Sequence, residues 1–195
     1  MNPILQYNGI VLLNGYVQRL FVFEKVHSLL TQTNDNAEKM NNLISLLDTL
    51  GKIETDFTQT KKISEADVEV TQAVLETTRS LMKEYICNLS SEASFDEKIA
   101  IAASTIYAEE HINNGVIELG KLFNPDILDR YMQQIPYHQN RVALVNRIVH
   151  KKVANELITE SETQQIDKWY SDVIQNKAGI DLDLNTIQRF LKGKR

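Results

Sequence analysis

Residues 8–21 read Asn-Gly-Ile-Val-Leu-Leu-Asn-Gly-Tyr-Val-Gln-Arg-Leu-Phe, an apolar block that contains two glycines and ends in Arg19-Leu20-Phe21. No other stretch limits the fold so strongly. The block is shorter than the roughly 18 apolar residues that cross a bilayer, and water would not tolerate it uncovered, at about 0.8 kcal/mol per exposed methylene. Either the rest of the chain or a partner must cover it. From about Leu5, the positions Leu12, Leu13, Tyr16, Val17, Leu20 and Phe21 share one helical face. Ile10, Val11, Val22 and Phe23 widen that face almost all the way round. Gly9 and Gly15 each cost a helix about 1 kcal/mol relative to alanine, so they either admit another backbone or mark a kink. Ile10, Leu12, Leu13, Tyr16, Val17, Leu20 and Phe21 are therefore candidate protein-binding residues of the helix-in-groove kind. Intramolecular core is the competing reading.

The remaining punctuation is helical. Asn34-Asp35-Asn36 is a break, and Asp35 with Glu38 resembles a capping box ahead of Met40, Leu43, Ile44, Leu47 and Leu50, with Gly51 as the stop. Residues 52–62 are polar and threonine-rich, the best linker in the chain and a possible subdomain break near 52–63. Ser64 opens a long helix that reaches Ile86. Ser94-Phe95-Asp96-Glu97 is a capping box for a helix carrying Ile99, Ala102, Ala103, Ile106 and Tyr107, which Asn113-Asn114-Gly115 could break. Asn124-Pro125 reads as an N-cap with proline at the first helical position, in a helix that ends near Pro136. Another runs from about Tyr137 to Leu157, with Val142, Val145, Ile148, Val149 and Val153 as its core stripe. Thr159-Glu160-Ser161-Glu162 caps a helix holding Ile166, Trp169, Tyr170, Val173 and Ile174, with Gly179 after its end; Leu184, Ile187, Phe190 and Leu191 form a short last helix. No run alternates long enough for a strand. The expected fold is an all-α bundle or array of about seven or eight helices, one domain over 1–195.

At 195 residues, 43% apolar, the chain can build a core without disulfides. The single cysteine, Cys87, cannot form one internally and leans towards a reducing compartment. The net charge of −5, with its only dense basic cluster at 192–195, argues against nucleic acid as a partner. The N-terminus lacks the pattern of a signal peptide, and no run is long enough to span a membrane. The expectation is a chain that starts at Met1 and stays in the cytoplasm.

Chemistry is thinly supported. The acids of Glu109-Glu110-His111 adjoin the histidine in sequence and so point away from it on a helix; His150 has Asn146 four back and Ala154 four on, neither a metal ligand, and the four histidines, His27, His111, His138 and His150, read as surface or singly bonded. Cys87 has no base in its neighbourhood of the sequence to activate it, and reads as a small buried apolar residue. Glycine-rich phosphate loops and nucleophile elbows are absent. Paired acids such as Glu109/Glu110 and Asp181/Asp183 usually solvate a helix or favour its start. The expectation is no catalytic residue, no metal and no cofactor.

The N-terminal block also carries a resemblance. Tyr7-Asn8-Gly9-Ile10-Val11-Leu12-Leu13, then Asn14-Gly15-Tyr16-Val17-Gln18-Arg19-Leu20-Phe21, is similar to a segment of the contractile injection system tape-measure family: Asn-Ala-Gly-Leu-Val-Leu-Leu, two variable residues, an aromatic, Leu, Pro, Arg-Leu-Phe. Residues 144–149, the Thr159–Glu162 motif leading to Val173-Ile174, and residues 187–192 resemble that family's later blocks. Gly15 and Gln18 stand where the family has prolines, its Cys-Gly-Leu-Pro segment is absent, and Trp169 lies inside a helix that the family's tryptophan follows. The resemblance implies a helical, non-enzymatic component of a phage-tail-like particle that binds other protein chains, itself included. A fully helical rod of this length would reach about 290 Å, and the breaks at 34–36, 124–125 and 136 rule it out. The alternative is a compact helical-bundle adaptor or regulator that holds one protein partner in a groove. An enzyme in a helical fold comes third.

Overall fold

The structure, a computed structural model, describes residues 2–33, 36–123, 129 and 132–194. Among them are seven α-helices and no strand: α1 Pro3–Thr31, α2 Ala37–Thr60, α3 Glu65–Met82, α4 Phe95–Phe123, α5 Ile135–Val153, α6 Glu160–Gln175 and α7 Lys177–Leu191. A π-helical turn, Lys83–Cys87, continues α3. The fold is all-α, as the periodicity requires.

Helix α1 is the axis of the bundle. Asn2 caps it through its side chain, with Pro3 at the first helical position. Its most extensive contact is with α4, followed by α2 and α7. Ile10, Leu13, Val17 and Leu20 are fully buried, and Tyr7, Val11 and Tyr16 nearly so. The two glycines allow close approach and produce no kink. A Cβ on Gly9 would lie 3.1 Å from the Phe190 Cβ on α7, and one on Gly15 would lie 2.5 Å from Ile112 Cγ1 on α4. Helix α4 answers with alanines: Ala100, Ala102 and Ala103 are fully buried beside Ile99, Ile101 and Ile106. Its Asn113-Asn114-Gly115 does not break the helix; Gly115 gives room to Val11, whose Cγ1 sits 2.3 Å from where a Cβ would be. Buried hydroxyls here serve their own turns, Ser104 donating to the Ile101 carbonyl at 2.8 Å.

Several sequence-derived boundaries move. Gly51 is no stop, and 52–60 is helix. Ile53 and Phe57 from this polar stretch are buried, and Phe57 stacks on Tyr7 with ring centroids 4.3 Å apart. The chain turns at Lys61, in the left-handed region, just before α3. Pro136 sits in the first turn of α5; the helix that the sequence ends near it lies mostly outside the described residues, with Asp129 and Met132 helical and a turn at 133–134. The last helix begins at Lys177 and takes in Gly179. The Asp35 box and Asn124-Pro125 lie outside the described residues; Asn36, which precedes α2, makes no cap and donates instead to Glu24 Oε2 at 2.7 Å.

The boxes at Ser94 and Thr159 form as the sequence predicts. Glu97 N donates to Ser94 Oγ at 3.2 Å and Ser94 N to Glu97 Oε2 at 2.8 Å. At α6 the reciprocal pair is Thr159 and Glu162. Glu162 also accepts from Lys151 Nζ at 3.0 Å and Arg147 Nε at 3.2 Å, so the box clamps α6 to α5. The Thr159 backbone N–H, then Lys151, hold its carboxyl down at about 2.

Candidate functional site

The structure divides the seven candidate contact residues. Ile10, Leu13, Tyr16, Val17 and Leu20 lie inside the chain's own core, and Leu12 and Phe21 are half-buried against it. In this fold a partner could reach the first five only if α1 left the bundle. The hydrophobic face that demanded cover is covered internally by α2, α4 and α7.

The second half of α1 differs. Phe21, Val22, Val26 and Leu29 form one wall of an open apolar groove of about 470 Å³. Helix α5 supplies the opposite wall with Val145, Val149 and Val153, at i, i+4 and i+8; Ala103 and Tyr107 of α4 form the floor. The valine row spans about 12 Å, two helical turns. Leu29 and Val153, one on each wall, are each 51% exposed, so the apolar surface continues out to solvent. The polar residues along the groove are Lys25, Asn146, His150 and the Tyr107 hydroxyl; no carboxylate lines it. Lys25 lies over the Phe21 ring at 6.0 Å and has no acidic partner among the described residues. Tyr107 donates to Asn146 Oδ1 at 2.6 Å. Sequence reasoning placed the α5 valines in a core stripe and missed that only Val145 and Ile148 are sealed. The available signal was that the row runs on to Val153, at the helix end, with no larger apolar residue in it.

The histidines fall into separate polar clusters. His111 of α4 meets Gln18 Nε2 at 2.7 Å and lies 3.5 Å from Glu54 Oε1, which accepts from Asn14 Nδ2 at 2.8 Å. This network crosses α1, α2 and α4 on the floor of an open groove. The nearby hydroxyl of Thr55 donates to the Gly51 carbonyl of its own helix and that of Thr58 to the Thr55 carbonyl. His138 lies 3.8 Å from Glu109, which accepts from Arg141 Nη1 at 2.6 Å. His27 stacks on Phe23. No three histidine, cysteine or acidic side chains among the described residues are placed to share a metal ion. Cys87 is only half-buried, and that burial, ahead of Asp181, pushes its thiol up, away from nucleophilic use.

No helix among the described residues is long and apolar enough to cross a membrane. The chain matches no family model, no curated protein and no solved structure. The tape-measure resemblance therefore rests on residues 7–21 and the weaker blocks at 144–192 alone.

Proposed function

We propose that this chain is a non-enzymatic helical protein that works by protein contact, and that its contact site is the α1–α4–α5 groove. The occupant is the apolar face of an amphipathic helix with acidic flanks. One observation carries this reading: a two-turn row of valines, sealed at Val145 and open at Val149 and Val153, lines the groove opposite Val22, Val26 and Leu29, and its margin carries Lys25 and no acid. An i, i+3/i+4, i+7 stripe of large apolar side chains matches that length. Acidic residues beside the stripe would meet Lys25 without displacing an existing ion pair. Phe21, which closes the Arg-Leu-Phe motif, lines this groove, so the motif's last residue serves contact while the residues before it serve the core. A contractile injection particle is one setting for such a contact, suggested by the resemblance at residues 7–21. The compact adaptor is the form the geometry favours.

The test uses two designed helices with the same leucine stripe, one flanked by glutamates and one by lysines. The acidic helix should bind about tenfold tighter, a difference of about 1.4 kcal/mol, and should shift the NMR signals of Leu29, Val149 and Val153. Equal binding of both, or shifts confined to another face, would overturn the proposal. Concentration-dependent mass without added peptide would make a second copy of the chain the occupant instead.

A further inference from the structure

A second cavity, away from the groove's valine row, holds a charge that the fold leaves unanswered. Arg19 is 7% exposed, yet among the described residues its guanidinium makes no hydrogen bond or ion pair and its buried Nε has no partner. Buried cations are normally paired, because an unpaired one costs several kcal/mol. Burial lowers the Arg19 pKa, opposed by Tyr16, Glu109, Cys87 and Asp183 acting through space. Both of those carboxylates are engaged elsewhere: Glu109 with Arg141, and Asp183 as acceptor of the Tyr16 hydroxyl.

Arg19 lines a cavity of about 160 Å³. Arg141, the second guanidinium on its wall, also has a buried Nε without a partner among the described residues. Ile106, Trp169, Val173 and Ile180 make much of the rest apolar. Engineered apolar cavities of about 150 Å³ hold a benzene ring, so the volume suits a small organic molecule. Water could fill the two donors but could not neutralise the charge. A guanidinium fork matches a carboxylate in geometry as well as sign. Glu109 and Asp172, also on the wall, repel any anion, and a doubly charged ion such as phosphate about twice as strongly as a carboxylate. We infer that this cavity binds a small monocarboxylate, with its carboxylate on the Arg19 guanidinium and its short apolar tail against Trp169 and Ile180.

The test is thermal unfolding of the full chain in sodium butyrate against sodium chloride at equal ionic strength, with butyramide and inorganic phosphate as further arms. In parallel, the arginine Nε–H signals of the unsubstituted protein are followed by NMR, which needs no variant. Butyrate should raise the melting temperature saturably and move the Arg19 signal, while butyramide and phosphate do neither. Arg19→Met should fold, since it removes an unpaired buried charge, and should lose the butyrate response. Butyrate acting no differently from chloride, with the Arg19 signal unmoved, would mean water only and overturn the inference. So would a matching response to butyramide, tighter saturation by phosphate, or a butyrate response that survives in Arg19→Met.

Discussion

Between Gly9 and Leu20, helix α1 is walled in by α2, α4 and α7; between Phe21 and Leu29 the same helix leaves a groove open beside α5. The two halves are similarly apolar. They differ in the side chains that set the distance to the neighbour. In the first half, Gly9 and Gly15 bring α7 and α4 into close contact, and Ile10, Leu13, Val17 and Leu20 are sealed in. In the second half no glycine thins the helix, Phe21 and Val22 stand on the wall, and α5 answers with valines, which do not fill the gap. Apolar composition therefore decides that a helix must be covered, while side-chain size at the contact decides whether cover is complete.

The largest effect that would break this contrast lies in the sealed half. Leu13→Asp with Leu20→Asp places two unpaired charges in the core at several kcal/mol each, against a total stability of about 5–15 kcal/mol. The double variant should be unfolded by circular dichroism at room temperature. If it stayed folded and only lost association, the first half of α1 would be an interface and not core.

Next comes the close approach itself. Gly15→Val drives a branched side chain into Ile112 and should cost about 1–3 kcal/mol in urea unfolding, by overpacking. A neutral result would mean that α4 can withdraw and that the seal does not depend on the glycine.

A smaller effect is expected far from α1, where α6 meets α5. Thr159→Ala should cost about 1 kcal/mol through the lost cap. Because the folded Glu162 carboxyl titrates at about 2, below the ordinary 4.5, its contribution is present in full above about pH 4.5 and is lost as pH falls through about 2. Glu162→Gln should remove that part of the acid dependence, read as a flatter melting temperature between those two pH values. An unchanged acid dependence would show that the clamp contributes nothing.

The smallest effect on stability is in the open half. Leu29→Asp with Val153→Asp alters two exposed positions and should shift stability by no more than about 0.5 kcal/mol per site. The same pair should abolish binding of the acidic amphipathic helix. Retained binding would remove the groove from the proposal.

What could be read in advance follows the same division. The one-sided helices α3 and α6 and the start of α4 were legible, because Ser64, Ser94 and Thr159 each supply a cap and the apolar stripe of α6 has a single face. Glycine was not legible as punctuation: Gly51, Gly115 and Gly179 all lie inside helices, and Gly115 gives room to a neighbour, Val11, that only the tertiary fold brings near. Residues 52–60 looked like a linker because one buried face of two residues, Ile53 and Phe57, is too sparse to stand out among threonines. The apolar face of α1 was visible, but not which half would be sealed, since that depends on residues some 90 to 180 positions away in sequence, Ile112 and Phe190 among them. Arg19 stood in plain view, but its isolation follows from where Glu109 and Asp183 spend their charge.

The most direct measurement is thiol labelling of single cysteines placed in the two halves, Leu20→Cys and Leu29→Cys, each in a Cys87→Ser background. Leu20→Cys should react only as fast as the whole protein unfolds, and Leu29→Cys close to the rate of a free peptide. Rapid labelling at position 20, or protection at position 29 equal to that at 20, would contradict a helix sealed in one half and open in the other.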